Sequence, residues 1–266
     1  MKKIIFAFLV VFTLPYIFYN SNNILNSNFS VDDLNEFQKT HIAHSGGAVS
    51  GNTYTNCYNS IKNSYDLGLR LMELDIEYTS DNVPVLIHSW DGFQYKYLGL
   101  DRNIVPTYEE FKNAKMINNY TQLSLDDTFK YMKDEFTEMF FITDTKNDNK
   151  KLLDYIKENY SNFMDRVIPQ VYNQSEYFYA QKLGFKNIIY TLYMSEDSDA
   201  EIIDFCKNND VFAITMPKAR ALNSDLANDL NELGVFVYAH TIDDLNEFEA
   251  LKQKGVKGIY TNLLLK

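Results

Sequence analysis

Leu71-Met72-Glu73-Leu74-Asp75-Ile76-Glu77-Tyr78-Thr79-Ser80-Asp81-Asn82-Val83-Pro84-Val85-Leu86-Ile87-His88 contains two apolar runs joined by a short polar connection. Leu71 to Ile76 and Val83 to His88 both read as strands. A parallel pair needs a crossover of roughly a dozen residues, and Tyr78 to Asn82 is too short for one. The second run is therefore expected to fold back as a hairpin partner of the first. Glu73 and Asp75, two apart on a strand, share one face, while Leu74 and Ile76 take the other.

The hairpin settles a count. Strand-like runs also occur at Ile42-Ala43, Met139 to Asp144, Val167 to Val171, Asn187 to Tyr193, Val211 to Thr215, Val235 to His240 and Gly258 to Thr261. Helical spacing lies between most of them: Tyr54–Leu67, Leu125–Met132, Lys150–Tyr160, Glu176–Leu183, Ala200–Lys207, Asp225–Leu233 and Leu245–Lys254. Thr107/Glu110, Ser124/Asp127 and Ser198/Glu201 have capping-box form, and Gly184, Gly234 and Gly255 fit left-handed helix ends. Such alternation predicts an α/β fold built on parallel strands. Nine runs are one too many for eight staves, so setting one aside as a hairpin partner favours a (β/α)8 TIM barrel. No glycine-rich phosphate loop follows the first strand, which argues against a dinucleotide-binding sheet. The segment 89–123 lacks a long periodic run and reads as an insertion covering the mouth.

Composition narrows the partners. The chain has 266 residues and a net charge of −11. No basic stripe is present, which argues against nucleic acid as a partner, because binding phosphate backbones needs a concentrated field of Lys and Arg. Cys57 and Cys206 read as buried small hydrophobes rather than a disulfide framework. Lys2-Lys3 precede an uncharged, mostly apolar run from Ile4 to Tyr19. This has the form of a signal peptide or signal anchor, followed by a polar tether up to residue 30. The expected organisation is thus a leader over 1–30 and one barrel domain over 31–266, exported and carried on the outer face of the membrane or secreted.

The polar residues at strand ends carry the chemistry. Two carboxylates facing a barrel interior repel unless a proton or cation lies between them. Asp144 ends its own strand and supplies a third oxygen, and an all-oxygen set suits a hard divalent ion, Mg²⁺ or Ca²⁺. Lys146 lies two residues further and shares the face of Asp144, so metal and phosphate oxygen would sit side by side. His44 and His88 each end an apolar run and can exchange protons near neutral pH. His240 is expected to line the mouth from the far side, and His41 to be a surface or packing residue.

At these residues the chain resembles the glycerophosphodiester phosphodiesterase family, within the barrel superfamily that also holds the phosphatidylinositol-specific phospholipases C. The family's His-Arg-Gly appears as His44-Ser45-Gly46 and its Glu-Asn-Thr as Gly51-Asn52-Thr53. Glu-Leu-Asp appears as Glu73-Leu74-Asp75, Thr-x-Asp-Gly as Thr79 to Asn82, and the following His as His88. Asp144-Thr145-Lys146 stands for Glu-x-Lys, and His240 to Asp243 with Thr261-Asn262 for the closing motifs. The resemblance implies one divalent cation on Glu73, Asp75 and Asp144, with His44 and His88 as the acid–base pair. It also implies Lys146 and the metal neutralising a small-molecule or lipid-derived phosphodiester. In the family, a hydroxyl of the substrate attacks phosphorus and water then opens a cyclic phosphate.

The departures are Ser45 for the arginine that grips phosphate, Gly51 for a glutamate and Asn262 for an aspartate. Ser45, Gly46 and His240 remain as candidate phosphate contacts that bring no fixed charge. The missing arginine points to a different diester, such as a lipid headgroup or a cell-surface polymer. The phospholipase C members work without metal and carry a basic residue beside the aspartate of the second strand. Here Glu77 follows Asp75 by two, which favours metal. The metal-independent phospholipase and a catalytically weak, membrane-tethered binding module are the alternatives.

Overall fold

The computed structural model describes residues 29–91, 97–100, 104–145 and 147–263. The apolar run expected as a leader and Lys146 both lie outside them. No helix among the described residues is long and apolar enough to cross a membrane.

Helices and strands alternate along the chain. In order they are α1 (Glu36–Thr40), β1 (His41–Ala43), α2 (Tyr58–Asp66), β2 (Leu71–Tyr78) and β3 (Pro84–Leu86). Next come α3 (Tyr108–Asn113), α4 (Leu125–Asp134), β4 (Phe140–Asp144), α5 (Asn149–Asn159) and β5 (Val167–Val171). They are followed by α6 (Gln174–Leu183), β6 (Ile189–Thr191), α7 (Asp199–Asn208) and β7 (Ala213–Pro217). The chain closes with α8 (Lys218–Asn223), α9 (Leu226–Glu232), β8 (Phe236–His240), α10 (Leu245–Lys252) and β9 (Gly258–Thr261). The sheet runs β1-β9-β8-β7-β6-β5-β4-β2-β3, and β1 also pairs with β2. That extra pairing closes eight parallel strands into a barrel. The ninth strand, β3, lies antiparallel on β2 with Ile76 opposite Leu86, as the short connection requires. Asn82, where the family has glycine, takes the left-handed φ of +64° in that turn. Asparagine tolerates this conformation better than most side chains.

Local chemistry explains the element ends. All three expected capping boxes form, on Thr107, Ser124 and Ser198. Several boundaries differ from expectation by a residue or two, and larger shifts occur at α2 and β7. α2 begins at Tyr58 rather than Tyr54, because Tyr54 and Asn56 hold φ of +58° and +48°, which no right-handed helix accommodates. Its cap is Cys57. The strand expected at Val211 to Thr215 runs instead from Ala213 to Pro217. Both cysteines are free and buried, as expected. His41 packs between Phe37 and Phe248, a structural role.

The barrel interior and the helix-facing layer are separate cores. Ile42, Leu71, Phe140, Ile142, Ile168, Ile189 and Ala213 fill the interior, with Leu34 and the partly buried Val31 closing the end from which the strands start. Met72, Leu74 and Ile76 face outward into the helical layer with Phe141 and Phe129. Following the inward series up each strand, apolar residues give way to polar ones. Leu71 leads to Glu73 and Asp75, Ile142 to Asp144, Ile168 to Gln170, and Tyr238 to His240. The C-terminal mouth is therefore the polar end, where active sites of this architecture lie.

None of the described residues of segment 89–123 lines the central cavity. Tyr97, Leu98, Phe111, Met116 and Tyr120 instead make a small side core with Cys57, Val85 and Ile87.

After β1 the chain turns at His44-Ser45-Gly46-Gly47 tightly against α2. Gly47 has φ +84°, and a Cβ there would meet Ser64 Oγ at 2.2 Å. Gly47→Ala combines left-handed strain with overpacking, so it is expected to destabilise the fold by about 2 kcal/mol or more. Thermal denaturation checks this; an unchanged midpoint would show that the turn relaxes freely.

Candidate active site

Three carboxylates form the floor of the mouth. Glu73 and Asp75 point inward from β2, and β4 pairs in register so that Asp144 lies directly beside Asp75. One oxygen from each lies within 4.8 Å of the others. All three are buried, at 2%, 3% and 8% exposure. Burial at this closeness makes their mutual repulsion large, because the surroundings screen charge poorly.

The protein orients them with neutral donors. Ser45 donates its backbone N–H to Glu73 Oε2 at 2.8 Å and its hydroxyl to Asp75 Oδ2 at 2.6 Å. Asn56 Nδ2 donates to the same Asp75 oxygen at 2.8 Å, and Asn56 Oδ1 accepts the Asp75 N–H at 2.9 Å. Tyr172 and Tyr193 donate their hydroxyls to Asp144 Oδ1. Burial, together with the Asp144 charge, pushes both phenols well up, so they remain donors. Each carboxylate thus has one oxygen held by uncharged groups, and none of these donors is a cation. An all-oxygen set of three acids, oriented but not neutralised by these supports, fits a hard divalent ion. Glu73, Asp75 and Asp144 form an acidic cluster of the kind that holds a metal.

The histidines flank this floor. His44 starts the turn after β1, with Nε2 4.0 Å from Glu73 Oε2. Its Nδ1 lies 3.0 Å from Asn262 Oδ1, and Asn262 Nδ2 donates to Asp243 Oδ2 at 2.9 Å. A carboxylate only accepts, so the amide NH₂ must face Asp243 and the amide oxygen must face His44. Nδ1 is then the protonated nitrogen of the neutral ring, and Nε2 carries the lone pair. His88 lies two residues beyond β3, held near the floor where the Ile87 N–H meets Asp75 O at 3.0 Å. It lines the cavity with His44, the three acids, Tyr54, Gln170, Tyr193, Pro217, His240, Thr241 and Tyr260, around a volume of about 350 Å³. Tyr260 donates across the barrel to Gln170 Oε1 at 2.8 Å, forming the base beneath this space. His240 lines the far side as expected, with Nδ1 3.0 Å from Thr215 Oγ1. Burial, with a smaller contribution from His44, lowers its pKa to about 4, so the ring is neutral at physiological pH.

The structure places two expected phosphate contacts elsewhere. Ser45 is fully buried and spends both its donors on carboxylates, and Gly46 turns its carbonyl to Ser64 Oγ at 2.8 Å. Neither lines the cavity. Lys146 lies outside the described residues. Asn52, matched to the family's asparagine, bonds Val49 O and Ser50 O near the surface. Asn56 is the asparagine that reaches the acids. The signal for it is a second Asn four residues on, directly before the helix cap. Tyr172 and Tyr193 each continue the inward series of a strand, two residues past Gln170 and Thr191, so the same alternation is the signal that could have found them.

The model of the glycerophosphoryl diester phosphodiesterase family matches residues 47–178, which carry Glu73, Asp75, His88 and Asp144. The chain belongs to that family. It is accordingly a phosphoric diester hydrolase. Among curated proteins, none matches. Solved structures share the fold. A glycerophosphodiester phosphodiesterase from Parabacteroides distasonis is 23% identical, with a TM-score of 0.65 over 84% of this chain and 92% of its own. An Oleispira antarctica phosphodiesterase, in complex with the product sn-glycerol-3-phosphate, is 16% identical, with a TM-score of 0.68 over 85% and 94%. The Thermotoga maritima glycerophosphodiester phosphodiesterase is 15% identical, with a TM-score of 0.63 over 84% and 94%.

Proposed function

We propose that the protein is a metal-dependent phosphodiesterase hydrolysing a glycerophosphodiester or a related lipid-derived or cell-surface diester. The observation that carries this is the convergence of three buried carboxylates, within 4.8 Å of one another, beside two histidines in one cavity. Glu73, Asp75 and Asp144 would hold one Mg²⁺ or Ca²⁺. When bound, the ion offsets phosphate charge and acts as a Lewis acid toward a phosphoryl oxygen.

The chain's own residues supply the proton transfers. His44 Nε2, with its lone pair fixed toward the cavity, takes the proton of the attacking hydroxyl, whether the substrate's own or that of water. His88 gives a proton to the departing alcohol. His240 stays neutral and borders the alcohol side of the cavity. The Oleispira relative holds sn-glycerol-3-phosphate as product, which supports the glycerophosphodiester class for this chain. Lys146 is assigned to a phosphate oxygen from its place two residues after Asp144. The domain is taken as 31–266 with an insertion at 89–123. The Lys2-Lys3 pair and the apolar run after it support export, with the barrel on the outer face of the membrane or released. Fractionation of cells, with N-terminal sequencing of the mature chain, tests that placement.

Assay of glycerophosphodiesters, lysophospholipids and inositol lipids, with and without chelator, tests the activity. Hydrolysis is expected to vanish with chelator and return on adding Mg²⁺ or Ca²⁺. Activity that persists unchanged in chelator would replace this mechanism with the metal-independent phospholipase C type.

A further inference from the structure

Tyr54 is the residue of the cavity wall, among those described, whose ring meets both histidines. Its centroid is 4.7 Å from that of His44 and 5.4 Å from that of His88, edge to face in each case. A group that touches both proton-transfer rings stands where a diester must bridge them. The backbone holds it there at φ +58°, a conformation unfavourable for an aromatic residue. Strain of this kind persists only where the surroundings enforce it.

The surroundings do enforce it. Asn56 N–H bonds Ser45 O at 3.2 Å behind the loop. In front, Tyr97 donates its hydroxyl to Thr53 O at 3.0 Å, and Tyr120 donates to Val49 O at 3.2 Å. Both tyrosines belong to segment 89–123. These described residues of the segment brace the loop that carries Tyr54.

The site also needs what Tyr54 offers. Under the proposed function the metal and Lys146 meet the charge of the diester, but no arginine is among the described residues that line the cavity. The family's arginine position is Ser45, which is turned beneath the floor. Burial first, then the Asp75 and Glu73 charges, raise the Tyr54 phenol, so it stays protonated and able to donate. A hydrogen bond with Thr241 lowers it only in part.

We propose that Tyr54 is a substrate-contacting residue whose hydroxyl donates to a non-bridging oxygen of the diester held between His44 and His88. It serves as a neutral donor where the family uses a guanidinium, and Tyr97 is its positioning residue. The assignment rests on the phosphodiesterase function proposed above.

The test compares wild type, Tyr54→Phe, Tyr97→Phe and the double variant on glycerophosphocholine and on bis(p-nitrophenyl) phosphate at saturating Mg²⁺. Mn²⁺ binding is followed in parallel by electron paramagnetic resonance. Tyr54→Phe keeps the ring and removes one donor to a charged acceptor, so kcat/KM is expected to fall about 10- to 100-fold, carried mainly by KM, with Mn²⁺ affinity unchanged. Tyr97→Phe is expected to raise KM in the same direction, and to add nothing once Tyr54 is Phe. A kcat/KM for Tyr54→Phe within about threefold of wild type overturns the assignment, as does a loss that Mn²⁺ affinity shares in full. Additive losses in the double variant overturn the role of Tyr97. If wild type hydrolyses neither diester nor any of the wider panel, the phosphodiesterase function itself fails and Tyr54 falls with it.

Discussion

His44→Ala is expected to lower kcat by about 10²- to 10⁴-fold, the usual worth of a positioned general base, while leaving the fold and metal affinity intact. Hydrogen bonds, rather than proximity alone, assign this role. Asp243 accepts from Thr261 Oγ1 at 2.9 Å, from the Asn262 N–H at 2.7 Å and from Asn262 Nδ2 at 2.9 Å. Those contacts hold the amide in one orientation, and the amide oxygen then selects the His44 tautomer with Nε2 free of hydrogen. His88 has the complementary task, so the two variants should part on leaving-group chemistry. An alkyl alcohol needs a proton to depart, whereas p-nitrophenolate leaves without one. His88→Ala should therefore cripple glycerophosphocholine hydrolysis but spare bis(p-nitrophenyl) phosphate. His44→Ala should damage both. Equal losses on the two substrates would remove the assignment of base and acid, and full turnover by both variants on every diester would end the acid–base mechanism.

This division of labour shows which parts of the site were legible before the fold was known. Strand periodicity places a side chain on a face, and the strand's direction places its C-terminal end at the mouth. Glu73, Asp75, Asp144 and His240 follow from those two facts, since each ends an inward series that begins with an apolar residue. The hairpin of β3 on β2 was legible for a different reason: so short a connection cannot cross a barrel. Loop conformation was not legible. Asn52 and Asn56 look alike in sequence, and only the left-handed turn at Tyr54 and Asn56 brings the second one under Asp75. Ser45 is expected to face phosphate because the family's arginine does. A serine is too short to leave the turn, and two carboxylates beneath it take its donors. The partners contributed by distant strands were equally hidden. Asn262 lies 218 residues from His44, and closure of the barrel through β1 and β9 brings them together.

Glu73→Gln is expected to act on activity and on stability in opposite directions. Gln is isosteric with Glu and still accepts the Ser45 N–H, so the local packing is preserved. The change removes one of three negative charges confined within 4.8 Å. Without metal, that relieves repulsion that the buried floor screens poorly, and the variant should be more stable than wild type by about 1 kcal/mol, or roughly 2–4 °C in Tm. With metal the order reverses. Wild type should gain Tm with Mg²⁺ or Ca²⁺ concentration, because an ion that binds only the folded state stabilises it by mass action. The variant, with two carboxylates left, should gain far less, and its kcat/KM should fall by about 10³-fold, corresponding to the several kcal/mol that Lewis-acid stabilisation contributes to phosphoryl chemistry. Calorimetric scans of both proteins, in chelator and across a metal titration, separate the two effects. A variant less stable than wild type in chelator, with the same Tm response to metal, would mean that Glu73 is a packing residue and that the ion binds elsewhere. The crossing of the two stability orders is therefore the signature of a floor built to be completed by a cation.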